Sequence, residues 1–289
     1  MKIGALEAGG TKMVCAVVDE NGTVAERVSL PTRTPAETMP EMIRYFAAHE
    51  VEALGIGCFG PLDLDKNSPT WGYITSTPKT AWQFYDLAGT FRRALGVPVA
   101  LDTDVNCAAL GEARHGSCRG LDDCVYITVG TGIGMGVLCG GRLVHGMQHP
   151  ELGHIAVVPA PGDGYAGCCP YHGRCLEGMA SGSAIAGRWG VPGPQLEQRP
   201  EVWALEAEYL AQGVAVCVLA YAPRRIVLGG GVAHQAGLLQ QVREAVVRRL
   251  NGYVQTPELR DMEHFLVAPA LGDDQALLGC MELVRGELG

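Results

Sequence analysis

The sequence predicts a duplicated α/β protein of two domains, and three observations carry that reading. Each half opens on a glycine-turn hairpin, at residues 9–10 and again at 130–136. Each hairpin then passes into alternating helix-like and strand-like segments. With 289 residues, 47% of them hydrophobic and 18% charged, the chain is long and apolar enough for two cores. The boundary is expected near 115–122, where Gly116, Gly120 and polar residues collect. This divides the chain into an N-terminal domain over 1–117 and a C-terminal domain over 118–272, with a last helix over about 273–289 packing back on the first domain.

Taken in order, Ile3–Leu6, Met13–Val18 and Thr23–Val28 read as three strands joined by tight turns, with Asn21-Gly22 a strong hairpin signal. Met39, Met42, Ile43 and Phe46 recur at helical spacing over 36–48. Leu54–Cys58 returns as a buried strand, Pro98–Leu101 as a short one, and Val105–Ala113 as a helix. The second half repeats the scheme. Asp123–Thr128 and Ile133–Leu138 form a strand pair about a glycine turn, and Arg142-Leu-Val follows. A long apolar helix runs over 201–221, then a buried strand Arg225–Leu228, a helix over 236–250 and a last strand His264–Val267. Residues 152–175 carry few regular elements, and an ordered loop of that length needs something to hold it.

Composition narrows the function. The 22 basic and 31 acidic residues leave a formal net charge of −9, with no basic run to engage nucleic acid. No charged segment leading into an apolar one follows Met1, and no stretch of about 18 uninterrupted apolar residues appears, so neither export nor a membrane partner is expected. Most of the eleven cysteines sit singly in apolar runs (Cys15, Cys58, Cys107, Cys139, Cys217), as reduced thiols packed as small hydrophobes do. A reducing cytoplasm is the expected compartment.

The chemistry concentrates in four places. Glu7-Ala-Gly9-Gly10-Thr11-Lys12 turns between two strands, where paired glycines let the main chain approach a bulky anion, although an ordinary hairpin turn fits the same residues. The spacing is not that of a Walker A loop, and a strand follows instead of a helix. Val129-Gly130-Thr131-Gly132-Ile-Gly134-Met-Gly136 is a second such turn and does not match a dinucleotide fingerprint. Leu228-Gly229-Gly230-Gly231-Val232 follows a buried strand and suits the flat face of a purine, or simply a tight strand-to-helix turn. Finally, Cys169, His172 and Cys175 stand at i, i+3, i+6 across a loop with Pro170 and Gly173, and His154 lies upstream to complete a Cys2His2 zinc pattern. Four protein ligands close the shell, so the zinc would be structural. Glu151 and Glu177, each tied to a ligand two or three residues away, would then be fixed carboxylates suited to vicinal hydroxyls, although a helix-start carboxylate favoured by the dipole fits Glu177 as well.

Jointly and in this order, the motifs resemble the ROK family of sugar kinases and regulators within the actin-like ATPase (ribonuclease H-like) superfamily, over nearly the whole chain, and most closely its bacterial zinc-containing fructokinase branch. The resemblance implies a two-domain sugar kinase fold, ATP as phosphoryl donor with Mg²⁺, a hexose acceptor with fructose foremost, and a homodimer. It places Glu7, Gly9, Gly10, Thr11, Lys12, Gly130, Thr131, Gly132, Gly134, Gly229, Gly230 and Gly231 at the nucleotide. Gly60, Pro61, Thr103, Asp104, Glu151, His154 and Glu177 fall at the sugar, with Asp104 as catalytic base. Asp102 is the rival base, and either aspartate could instead cap the following helix. The chain departs from many members in starting its first motif with Glu7 and in having Thr103 before the base and His172 in place of a third thiolate. These departures, together with Gly57–Asp63 and Thr75–Lys79 with Trp82, look like the fructokinase branch. Glucokinase, mannokinase or amino-sugar kinase activity is the alternative within the family. A sugar-sensing regulator is disfavoured, because no helix-turn-helix segment precedes Glu7. A zinc hydrolase is disfavoured because four ligands leave the metal no open position.

Overall fold

The computed structural model describes residues 1–288. It divides into two compact units. One contains Met1–Arg119, Leu143–Pro150 and the C-terminal segment from Leu271; the other contains Gly120–Arg142 and Glu151–Ala270.

The first unit is built on a five-stranded sheet of order β3-β2-β1-β4-β5, with β1 (Ile3–Ala8), β2 (Lys12–Val18), β3 (Val24–Pro31), β4 (Ala53–Cys58) and β5 (Val99–Thr103). β1 to β3 form an antiparallel meander, whereas β1, β4 and β5 run parallel. β4 is buried at every position, as a central parallel strand should be. β3 alternates and is largely exposed, as an edge strand. The Asn21-Gly22 signal holds: Gly22 takes φ 84°, and the Asp19 carboxylate accepts the N–H groups of Asn21 and Thr23, each at 2.8 Å.

α1 (Pro35–Ala48) starts on a reciprocal capping box between Thr34 and Glu37 and lays Met39, Met42 and Phe46 into the core. α2 (Leu87–Leu95) lies outside the sequence expectation. Gly89 and two arginines dilute its apolar face to Leu87, Ala88 and Phe91, yet Asp86 caps it and Gly96 ends it at φ 69°. α3 (Asp104–His115) leaves β5 directly. The C-terminal helix α10 (Gln275–Leu288) packs on α3, β4 and β1. Its backbone comes so close that a Cβ on Gly279 would stand 1.8 Å from the Cys107 carbonyl oxygen, and one on Gly111 2.0 Å from that of Gln275. Only glycine permits that helix contact. Gly289, the last residue of the expected C-terminal helix, lies outside the described residues.

The second sheet repeats the pattern with β6 (Cys124–Val129), β7 (Ile133–Cys139), β8 (Arg142–Leu143), β9 (Arg225–Gly229) and β10 (Leu266–Val267), in the order β10-β9-β6-β7-β8. β6 and β7 are antiparallel, and β6, β9 and β10 are parallel. The helices of the second unit are α4 (Leu176–Ala180), α5 (Gly182–Trp189), α6 (Pro200–Tyr221), α7 (Leu238–Leu250), α8 (Pro257–Arg260) and α9 (Met262–Phe265). α4 carries Glu177 in its first turn, as the helix-start alternative for that residue had it, whereas α5 was not anticipated; each is short and glycine-bearing and depends on a side-chain cap, from Cys175 and Ser181 respectively. His264 belongs to the helical turn α9, so the last strand is shorter than the apolar pattern suggested. By length and composition α6 could cross a bilayer, but 72% of its most apolar window is buried inside the protein, as in a core helix.

Candidate active site and metal centre

In the first unit, the C-terminal ends of three adjacent parallel strands meet. Glu7 of β1 pairs in register with Gly57 of β4, and Gly57 with Asp102 of β5. Thr103 is the cap of α3, its hydroxyl accepting the Asn106 N–H at 3.1 Å. Neither aspartate performs that task, which removes the structural alternative open to both.

Their surroundings then separate them. Asp102 is 3% exposed. One carboxylate oxygen accepts the Thr103 N–H and the Asn106 Nδ2, each at 2.7 Å, while the other faces His145 Nε2 at 2.9 Å. Its capacity is spent on holding the strand-to-helix turn. Asp104 is half-buried at the first position of α3, and its Oδ1 accepts the Val105 N–H at 2.8 Å. Burial pushes its pKa up to about 6, against the pull of N–H donors at the start of the helix. Glu7 is pushed further, to about 7, first by burial and then by the negative charge of Asp104, with Lys12 pulling the other way.

Gly60 and Pro61 follow β4 through a cis peptide. The Pro61 carbonyl accepts the Thr75 N–H at 2.8 Å and the Thr75 hydroxyl at 3.0 Å. The Gly9–Lys12 turn is closed by Gly9 N–H to the Lys12 carbonyl at 2.9 Å, and is tied to the residue after β3 by the Thr32 hydroxyl on the Gly9 carbonyl at 2.7 Å. His145 was not singled out in the sequence. A histidine between Val144 and Gly146 carries no local signal, and only the fold sets it on Asp102.

In the second unit, His154, Cys169, His172 and Cys175 place their donor atoms within 4.8 Å of one another. His154 Nδ1 lies 3.7 Å from Cys169 Sγ and 3.5 Å from Cys175 Sγ, and His172 Nδ1 lies 3.7 Å from Cys169 Sγ. Thiolate and imidazole ligands at ordinary zinc distances in a tetrahedron are separated by about 3.5 Å. The four residues therefore fit a zinc ion through the Nδ1 atoms, leaving Nε2 of His154 on the opposite edge of its ring.

Ile133, at the start of β7, links this cluster to the second glycine turn. Its N–H donates to Glu177 Oε2 at 2.9 Å. A Cβ on Gly153, just before His154, would meet the Ile133 carbonyl oxygen at 2.0 Å. Both ends of the metal loop thus rest on one residue of the sheet. The turn is also braced from α5, whose Gly182 N–H reaches the Gly130 carbonyl at 2.7 Å and whose Ser183 hydroxyl reaches that of Thr131 at 2.8 Å. The third glycine motif closes on the same place. Gly230 has φ 89°, and a Cβ there would stand 2.5 Å from the Val129 carbonyl oxygen. Gly130–Gly132, Gly229–Gly231, Glu177 and the zinc-ligand set are therefore neighbours in this unit.

One strand order built twice around glycine-turn hairpins is the actin-like ATPase fold, and solved structures agree. The ROK family glucokinase from Streptomyces griseus, in complex with glucose and AMPPNP, superimposes with a TM-score of 0.77 at 29% identity, covering 99% of this chain and 100% of that one. The model of the ROK family matches residues 3–287. Over 289 residues the chain is 43% identical to the fructokinase of Zymomonas mobilis subsp. mobilis, covering 97% of this chain and 95% of that one. Over 288 residues it is 41% identical to the fructokinase of Pediococcus pentosaceus, covering 100% and 99%. The chain belongs to the ROK family.

Proposed function

We propose that this protein is an ATP-dependent fructokinase that transfers the terminal phosphoryl group of ATP to D-fructose, giving fructose 6-phosphate and ADP. The observation that carries the reading is Asp104, a half-buried carboxylate with raised proton affinity where three parallel strands end. Fructose as acceptor is supported by identities of 41% and 43% to fructokinases, against 29% to a glucokinase.

Asp104 accepts the proton of the attacking hydroxyl. Its Oδ1 is held by Val105 N–H, which leaves Oδ2 for the sugar. Phosphoryl transfer asks the rest of the protein for position and charge rather than covalent chemistry. The Gly9–Lys12 and Gly130–Gly134 turns bring main chain to the phosphates, and Gly229–Gly231 to the adenosine. Gly60, Pro61, Thr103, Glu151, the Nε2 of His154 and the second oxygen of Glu177 are the sugar-binding groups of this reading, as the family resemblance implies.

Glu7 fits Mg²⁺. Among the described residues no hydrogen-bond donor reaches its carboxylate, and burial together with the charge of Asp104 pushes its pKa up to about 7 despite Lys12, so a divalent cation there would be favoured. Glu7 would hold the Mg²⁺ of Mg-ATP, directly or through water, and the ion would neutralise phosphate charge. His154, Cys169, His172 and Cys175 would hold a zinc ion that supplies shape alone, because four protein ligands would fill its shell. The thiolates it needs suit a reducing cytoplasm, and the family resemblance supports a homodimer. A coupled ADP-release assay across fructose, mannose, glucose and N-acetylmannosamine tests the reading. Fructose should give the highest kcat/KM, and equal or better turnover of glucose would replace fructokinase by glucokinase.

A further inference from the structure

The segment Thr75–Lys79 is fixed from several sides. The Thr75 N–H bonds the Pro61 carbonyl at 2.8 Å, Gln83 Nε2 bonds the Thr77 carbonyl at 2.9 Å, and the Trp82 N–H bonds the Lys79 carbonyl at 2.7 Å. Trp82 is itself buried and anchored through Nε1 to the Arg33 carbonyl at 2.7 Å. A rigid backbone thus delivers a flexible side chain. The Lys79 stem lies over Gly10, where a Cβ would come within 3.3 Å of Lys79 Cε and 4.0 Å of Nζ. The place a side chain would take in the first glycine turn is filled by the end of a lysine from another part of the same unit.

Two further facts give this lysine a partner of definite chemistry. Among the described residues, no protein acceptor takes the N–H groups of Gly10 and Thr11. Among the described residues the lysine found in an ion pair is Lys66, with Glu287, and Lys79 is found in none. Two amide donors without acceptors and an unpaired ammonium on one turn form an anion site. A phosphoryl group offers three oxygens to such a set, and the ammonium serves it as a movable point charge.

We infer that Lys79 is a phosphate-binding residue of the first glycine turn, and that its ammonium, with the Gly10 and Thr11 amides, takes the oxygens of the terminal phosphoryl group of the nucleoside triphosphate. This rests on the kinase reading above and adds to it a contact made by the triphosphate and not by the diphosphate. The flexible stem lets the ammonium follow the phosphoryl group as it moves to the sugar and let go of ADP.

Calorimetric titration of the full chain with AMPPNP and with ADP separates the possibilities, using the parent, Lys79→Met and Lys79→Arg. Lys79→Met should weaken AMPPNP about tenfold or more, the loss of a charge-assisted contact, while ADP stays within about twofold. It should also lower kcat about 10²-fold, with the KM for fructose within about twofold. Lys79→Arg should keep most of the AMPPNP affinity. Equal weakening of AMPPNP and ADP, or no change in either, overturns the assignment of Lys79 and leaves the kinase reading intact. A parent protein with no affinity for AMPPNP overturns both. A melting temperature for Lys79→Met within about 2 °C of the parent shows that the variant is folded, as a solvent-side substitution should be.

Discussion

The strand orders β3-β2-β1-β4-β5 and β8-β7-β6-β9-β10 are one arrangement, yet the first ends in carboxylates and the second in bare backbone beside a thiol–imidazole cluster. Where the first unit has Glu7 facing Gly57, the second has Thr128 facing Gly229. Where β5 runs on into Asp104 and a helix, β10 is two residues long and leads into Ala268-Pro269. The scaffold is shared because alternating helices and a mostly parallel sheet bury apolar faces in the same way in either half. The chemistry differs because it sits at strand ends and in loops, where packing constrains the residue type least.

The sharpest way to break this contrast is to neutralise the first unit's acid. Asp104→Asn should lower kcat by about 10²- to 10⁴-fold with sugar affinity within about twofold, the loss expected of a general base. If the variant keeps more than about a tenth of parental kcat, Asp104 is not the base.

The next largest effect belongs to the second unit's metal loop. Chelation, or Cys175→Ser, should raise the KM for the sugar about tenfold, in the range seen when the surroundings of a metal ligand are disturbed, and should lower the melting temperature. An unchanged KM in metal-stripped protein would show that the loop keeps its shape without zinc.

A third comparison sets the two glycine turns against each other. Gly230→Ala places a Cβ 2.5 Å from a carbonyl oxygen at φ 89°, and should cost about 1–3 kcal/mol in denaturant unfolding. Gly10→Ala meets only the end of Lys79, at 3.3 Å, and should cost less than about 0.5 kcal/mol. Equal losses would mean that the rigidity assigned to the second unit's turn is shared by the first.

The smallest effect is on pH dependence. With Asp104 at about 6, kcat/KM should fall tenfold per pH unit on the acid side of that value; a flat profile down to pH 5 would remove the base. Stability runs the opposite way. Asp104 and Glu7 are raised from ordinary values of 3.8 and 4.5 to about 6 and about 7, so the folded state holds more protons across that window. The stability they contribute is complete below about pH 4 and is lost as pH rises through 6 and 7. Glu7→Gln should therefore melt higher than the parent at pH 8, with the advantage shrinking toward pH 5.

Much of this was legible locally. Hairpins, buried strands and the long apolar helix follow from period and turn chemistry within a few residues. The ligand set was legible because Cys169, His172 and Cys175 share one short loop, so their spacing already states their geometry. The short helix α5 was not, since it rests on a cap and on contacts with the second glycine turn rather than on an apolar stripe.

What the sequence determined by itself is therefore the duplicated α/β plan, the glycine turns and the metal-ligand set, because each is written in neighbouring residues. Only the tertiary structure decided which residues those motifs lean on. It made Thr103 the helix cap, set His145 on Asp102, joined Glu177 to Ile133 and laid Lys79 over Gly10. These pairs lie far apart in the chain or turn on which of three adjacent side chains faces a helix N–H, and nothing in local periodicity records either. They exist because burying two cores brings distant strand ends and loops to the same place, and the unsatisfied donors and acceptors found there must bond to whatever the fold supplies.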